Sequence, residues 1–361
     1  MRFVMVSCTL CLISLACRAQ HFSDQYIAAN KGKWSLEIPE VQELVHIVMA
    51  ITPAGIADSN LVDHTTEYYQ KVLAHFGKFK NEKIVQWINR ELPQRYPYLK
   101  MDACGFYFNA ADSIVKDQTY DQLSWTQNSI EGYIPELRQF AIRTSFRKFF
   151  RDNASYYEEL GSLMRKQLTI DKQWQWLEHK FSLRYDNYRI TFSPLVYGSH
   201  STNRFEGNNF NQTIMFICGP VTHQRYNANV TEGFMTRVVF TEIDHNYVNP
   251  ASDYYSDVIY SIFSDRSKWT AGKDSDHYED ALSVFNEYMT WAVFTLYAMD
   301  TYPAADFRII NERTEMQMVD RRGFCNYKAF NAKLMELYRA PNAPRLIADL
   351  YPAILEWCRK Q

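Results

Sequence analysis

Glycine, proline and an excess of one charge are all scarce in this sequence. Its 361 residues include only 12 Gly and 12 Pro, and 39 Lys plus Arg nearly balance 41 Asp plus Glu, for a formal net charge of -2. So few glycines leave little room for phosphate-binding or dinucleotide-binding loops. The balanced charge argues against a nucleic-acid-binding protein, which normally carries a basic excess. The sequence also has no Gly-x-Ser-x-Gly segment, the common motif of a serine nucleophile.

The cysteines show none of the paired spacing that is typical of a metal knuckle. Three of the seven lie in the N-terminal apolar segment, and the other four are far apart in the chain. One or two disulfides would be compatible with export, and four buried, unpaired thiols are at least an equal alternative in so large a domain. The four are Cys104, Cys218, Cys325 and Cys358.

The N-terminus has the pattern of an export signal. An apolar run from Phe3 to Cys17 follows a short basic start and is too short to span a bilayer comfortably. We predict cleavage after Ala19, which gives a periplasmic or secreted protein without a transmembrane span. A lipoprotein anchored through Cys17 is the alternative, although the residues before this cysteine match the usual lipobox poorly.

Helical patterning dominates the first half of the chain. Within residues 39–49, the apolar residues Val41, Leu44 and Val48 fall on one face of a helix, and residues 132–181 continue in the same way. Near Tyr188 the character changes. Two segments of strand composition, residues 188–197 and 212–218, flank a segment at 198–211 that is rich in Gly, Asn and Ser and suits a hairpin or a loop that forms a binding rim. Helical patterning resumes at Thr231.

These patterns predict an α+β fold that is predominantly helical, with a small antiparallel or mixed sheet. We divide the chain into a signal peptide (1–19), a helical N-terminal region (20–185) and a second region (186–361). No Gly/Ser/Pro-rich linker separates the last two, so they are compatible with one continuous unit.

One segment carries a recognisable chemical pattern. Thr241 and His245 are four residues apart and share one helical face, and Glu242 projects beside them. In a zinc hydrolase, ligands at i and i+4 hold the metal while the Glu next to the first ligand polarises the attacking water. Here Thr241 stands at the first ligand position. We expect Pro250 to end this helix.

A second predicted helix, residues 280–293, carries Glu287. Residues 246–250, Asn-Tyr-Val-Asn-Pro, then complete a pattern that resembles an exported Bacteroidetes family of unknown function with a zincin-like signature. In that family we expect a His-Glu-x-x-His helix followed by a segment like Ser-Phe-Val-Asn-Pro. Softer similarities lie at residues 40–47 (Glu-Val-Gln-Glu-Leu-Val-His-Ile), 68–72 (Tyr-Tyr-Gln-Lys-Val) and 321–324 (Arg-Arg-Gly-Phe).

The resemblance implies a zincin-like core of the gluzincin type and a metallopeptidase-like activity on a peptide or protein substrate. By residue, it implies His245 and Glu287 as zinc ligands and Glu242 as the general base. The strand-loop-strand segment with the 198–211 loop would border the substrate cleft.

Thr241 departs from the family pattern, because a hydroxyl is a poor zinc ligand and catalytic zinc normally has three protein ligands. Three hypotheses follow. In the first, the site binds no metal, and the chain is a non-catalytic binding protein for a peptide or glycan. In the second, the site still binds a metal ion, which is either a different metal or one whose coordination is completed by water. In the third, another histidine completes the zinc site, with three candidates from nearby sequence, His200, His223 and His277.

Simpler interpretations exist for the same residues. His245 is compatible with a hydrogen-bonded core histidine, and Asp244 with an exposed residue or a partner of Arg237 or of a neighbouring segment. A second Glu-x-x-His, Glu43 to His46, hints at a di-iron bundle when paired with the first. The predicted strands fit such a bundle poorly, so we expect Glu43 and His46 to make packing or polar contacts.

Overall fold

The computed structural model describes residues 22–117, 128–198, 200–220 and 225–361. The predicted signal peptide, including Cys17, lies outside the described residues, and so does His223.

The described residues form a predominantly helical α+β fold with one small mixed sheet and a separate β-hairpin, which confirms the predicted fold class. The strands are β1 (Lys33–Glu37), β2 (Phe106–Phe108), β3 (Ile114–Lys116), β4 (Asn187–Ser193), β5 (Ser201–Gly207) and β6 (Phe210–Cys218). The helices are α1 (Asp24–Asn30), α2 (Glu40–Ala50), α3 (Pro53–Ala57), α4 (Glu67–Phe76), α5 (Lys83–Asp102), α6 (Ile134–Arg143), α7 (Phe146–Asp152), α8 (Ala154–Leu168), α9 (Ile170–Lys180), α10 (Ala228–Tyr254), α11 (Ser256–Phe263), α12 (Ala281–Thr301), α13 (Ala304–Met316), α14 (Tyr327–Arg339) and α15 (Tyr351–Arg359).

The main sheet has the strand order β1-β4-β6-β5. Strands β1, β4 and β6 run parallel, with Trp34 opposite Tyr188 and Tyr188 opposite Thr213. Strand β5 is antiparallel to β6 and forms one edge of the sheet. Because β1 precedes position 185 and its partners follow it, the sheet joins both predicted regions of the chain.

Of the two interpretations of residues 198–211, the hairpin is confirmed, because β5 occupies Ser201–Gly207 and pairs antiparallel with β6, and a loop over most of the segment is wrong. The connection to β6 is a tight turn at Asn208 and Asn209, whose φ angles are 53° and 56°. Two consecutive residues in this left-handed region are typical of a type I′ hairpin turn, and asparagine tolerates it better than most residues. The Asn-Asn pair was therefore a hairpin signal rather than a loop signal.

The prediction that Pro250 ends its helix is also wrong, since α10 continues through it to Tyr254. A proline inside a helix removes the hydrogen bond to the carbonyl four residues earlier, here that of Asn246. The buried Tyr185 hydroxyl donates to this carbonyl oxygen at 3.0 Å. The side chain of Tyr185 thus replaces the hydrogen bond that Pro250 cannot make.

Two hydrophobic clusters fill the interior. One forms around α2, where every residue from Val41 to Ala50 is buried, and it extends over α4 to α8. The larger one surrounds the sheet, α10 and α12, and it includes Phe22 and Leu36 from the N-terminal region. Helix α10 lies at the centre of this larger cluster, where it packs against α12, α8, β5 and β6.

All four cysteines of the described residues are unpaired thiols, three of them buried and Cys325 exposed. None of the described helices combines the length and apolar character that crossing a membrane requires.

Candidate functional site

The candidate site lies where two long helices of the core face each other. Arg237, Thr241 and His245 recur every four residues along one face of α10. On α12, Glu287 and Trp291 have the same spacing. The two faces meet in a polar seam within an otherwise apolar interface.

The structure brings His245 and Glu287 together, as their sequence pattern predicted. His245 Nε2 lies 3.4 Å from Glu287 Oε1, and His245 Nδ1 lies 3.3 Å from Asn249 Oδ1. Both side chains are mostly buried, with 18% and 7% of their surfaces exposed. The imidazole and the carboxylate therefore converge on one enclosed point between the helices.

A third side chain, which no sequence motif links to the site, reaches the same carboxylate. Arg322 Nη1 donates to Glu287 Oε2 at 2.8 Å, and Arg322 Nη2 donates to the Tyr278 hydroxyl at 2.5 Å. The Arg322 guanidinium also lies 4.8 Å from the centre of the Trp291 ring. A buried cation thus neutralises the acidic group that the family resemblance assigns to a metal.

Local backbone structure fixes Arg322 in this position. A turn of π-helix at Gln317–Arg321 precedes it, and π-helical turns are frequent at functional sites. Gly323 follows with a φ of 84°, and a Cβ there would meet the Gly272 carbonyl oxygen at 2.1 Å. Only glycine permits this close approach. The Arg-Gly pair in residues 321–324 was the available sequence signal, but nothing local linked it to a glutamate on a distant helix.

The charges of the three groups reinforce one another. Burial alone would raise the pKa of Glu287, but Arg322 and His245 outweigh it and lower that pKa to about 2. Burial opposes protonation of His245, yet its hydrogen bond to Glu287 and the negative charge of that residue raise its pKa overall. Glu287 is therefore a carboxylate at neutral pH, held between two cation-forming groups.

Glu242 lies in a different electrostatic environment. Burial raises its pKa to about 7, and the negative charge of Glu287 acts in the same direction. His245 and the fully buried Lys100 of α5 oppose this shift. Burial in turn lowers the pKa of Lys100 to about 7. Lys100 was missed in the sequence analysis because only the fold brings α5 near α10.

The Thr241 hydroxyl is already hydrogen-bonded to the backbone of its own helix. It is 4% exposed, and its hydroxyl donates to the Arg237 carbonyl oxygen at 2.9 Å. Serine and threonine commonly make this i−4 contact inside helices.

Among the described residues, no group of three or more His, Cys, Asp and Glu side chains is arranged to hold a metal ion. Of the substitute histidines, His277 is exposed in a short 3₁₀ helix. His200 borders the site, and burial, Lys100 and Arg322 together lower its pKa to about 3.

The simpler expectations for Asp244 and for the second Glu-x-x-His segment have different outcomes. Asp244 is fully buried rather than exposed, and no ion pair joins it to Arg237 within the described residues. Glu43 accepts a hydrogen bond from the Tyr68 hydroxyl at 2.7 Å, and the His46 ring stacks on Phe216. Both members of the second Glu-x-x-His thus make packing and polar contacts.

In comparisons with known proteins, no family model, curated protein or solved structure matches this chain. The family resemblance and the functions that it implies therefore stay predictions.

Proposed function

We propose that the chain is a metallopeptidase-like protein with a degenerate zinc site, whose hydrolase activity is lost and whose cleft binds a peptide. The observation that carries this proposal is the Arg322 guanidinium, 2.8 Å from the Glu287 carboxylate. An ion pair stands where the family pattern has a metal.

The donor set fits catalytic zinc poorly. Such a site needs three protein ligands and an open position for water. The Thr241 hydroxyl is engaged by its own helix, and the Glu287 carboxylate is shared by Arg322 and His245. A zinc ion beside His245 would find only Oε1 of Glu287 available, because Arg322 holds Oε2, and the guanidinium charge already balances that of the carboxylate and would repel the metal ion.

Strand β5 supports a peptide as the ligand. It is an edge strand, and Asn246 of α10 donates from Nδ2 to its Thr202 hydroxyl oxygen at 3.0 Å. The family resemblance assigns the border of the substrate cleft to this segment of the chain, which supports a peptide as the ligand.

Metal analysis by mass spectrometry tests the proposal, after the purified protein is incubated with excess zinc and desalted. We expect far less than one zinc per wild-type chain, and little gain in Thr241→His, because Arg322 still neutralises Glu287. The double variant Thr241→His/Arg322→Met should bind about one zinc, and adding His245→Ala should abolish that binding. About one zinc per wild-type chain, lost in His245→Ala, would contradict the proposal.

One observation favours a second candidate, a metal-dependent hydrolase. Glu242 has a pKa raised to about 7 by burial, in the range that suits a general base, and it neighbours His245 in sequence and in space. Its test is zinc-stimulated cleavage of fluorescently labelled casein by the wild-type protein. The activity should disappear in Glu242→Gln, and no cleavage with or without zinc would rule this candidate out.

A further inference from the structure

We propose that Arg237 is a carboxylate-binding residue of the cleft and that the natural ligand is an acidic peptide. This inference rests on the proposed peptide-binding function and adds the chemistry that the ligand presents.

Arg237 is a cation whose contacts contain no negative charge. Its Nη1 lies 3.4 Å from the Thr314 hydroxyl, and its guanidinium lies 5.4 Å from the Trp291 ring centre and 5.7 Å from that of Phe234. No carboxylate among the described residues lies within the 4.0 Å of an ion pair. The neighbouring Arg322, by contrast, has Glu287 as its partner.

The surroundings make this charge more unfavourable. Burial lowers the pKa of Arg237 to about 10, and repulsion from Arg321 and Arg322 adds to the effect. Arg237 nevertheless stays protonated at neutral pH. A largely buried, unpaired guanidinium destabilises a fold, and an incoming carboxylate would supply the missing partner through paired hydrogen bonds.

The position of Arg237 fits a peptide that also passes His245. The two residues lie on one face of α10 and are eight positions apart, which corresponds to about 12 Å along a helix. An extended peptide covers that distance in about four residues. The Trp291 ring contacts both the Arg237 and the Arg322 guanidinium, so a ligand at Arg237 would also meet this aromatic side chain.

Fluorescence polarisation with labelled octapeptides tests this inference. One peptide alternates Glu with Ala and a second alternates Gln with Ala, and each is made with a free and with an amidated C-terminus. We expect the Glu peptide, or the free C-terminus, to bind at least about tenfold more tightly than its neutral counterpart. The two pairs of peptides distinguish a side-chain carboxylate from a terminal one.

The variants Arg237→Gln and Arg237→Lys separate binding from folding. Arg237→Gln should lose the preference for the acidic peptide, Arg237→Lys should keep part of it, and the control Arg359→Gln, at an exposed position on α15, should keep all of it. Because the unpaired charge is unfavourable, Arg237→Met should keep or raise the melting temperature. A residue with a merely structural role would lower it.

Two results would overturn the inference. If acidic and neutral peptides bind equally, or if Arg237→Gln keeps the full preference, Arg237 does not recognise a carboxylate, while the peptide-binding function stands. If none of the octapeptides binds, both proposals fail.

Discussion

At the scale of single residues, the site contains the ion pair of Arg322 and Glu287, and the buried carboxyl of Asp244 lies on the same helix as His245. Thr241 and His245 could be placed together from sequence, because a spacing of four positions within a helix determines which side chains share a face. The pairing of Glu287 with them came only from the family resemblance, since it lies on another helix. The contribution of Arg322 could not, because its contact with Glu287 depends on a π-helical turn and a left-handed glycine that position a distant segment. Local spacing thus predicts which side chains share a helix face, whereas the tertiary structure determines which charged side chains meet.

Asp244 provides a prediction on pH dependence. It is fully buried, and neither carboxylate oxygen bonds to another side chain among the described residues. Burial, with Glu242 and Glu287 adding to it, raises its pKa well above the usual value. The folded state therefore holds a proton that the unfolded state releases, so this residue costs more stability as the pH rises from about 4.

We expect Asp244→Asn to become more stable relative to the wild type as the pH rises. The difference in unfolding free energy should change by up to about 2.8 kcal/mol between pH 5 and pH 7, since one proton corresponds to about 1.4 kcal/mol per pH unit. Urea denaturation at both pH values measures this difference. The exposed Asp253 of the same helix provides the control variant Asp253→Asn. A difference for Asp244→Asn that does not change with pH would disagree with a buried neutral acid.

At the scale of elements, α10 shows where a sequence rule failed, and the β5–β6 hairpin shows which of two interpretations was correct. Pro250 has the sequence properties of a helix terminator, but a tyrosine from outside the helix bonds the carbonyl that it leaves free. The Asn208-Asn209 pair has loop composition, yet its backbone conformation is that of a tight hairpin turn. In both cases the rule considered only the local sequence. A hydrogen bond from a distant side chain decided the first case, and the backbone conformation of two residues decided the second.

Tyr185→Phe tests the account of α10. It leaves the Asn246 carbonyl without its donor and should lower the unfolding free energy by about 1–3 kcal/mol. In a Pro250→Ala background, the new backbone N–H can bond that carbonyl, so the same change should cost about 0.5 kcal/mol or less. Denaturation of the wild type, the two single variants and the double variant gives the coupling free energy between positions 185 and 250. Equal costs in the two backgrounds would show that the tyrosine does not substitute for the missing N–H.

At the scale of the whole molecule, a predominantly helical α+β fold followed from the order of helical and strand patterns along the chain. The sheet's membership did not follow, because β1 comes from the N-terminal region and pairs with β4 across a long separation in sequence. Lys100 of α5 also reaches the sheet, where its ammonium lies 5.1 Å from the centre of the Phe216 ring of β6. The site thus depends on both parts of the chain, although its recognisable motif lies in the second.

The most direct test of the central claim is an anomalous-scattering map at the zinc edge, from crystals of the wild-type protein grown with excess zinc. We predict no zinc peak between His245 and Glu287, with the Arg322 guanidinium bonded to the Glu287 carboxylate. A strong zinc peak coordinated by both side chains, with Arg322 displaced, would contradict the claim that an ion pair has replaced the metal.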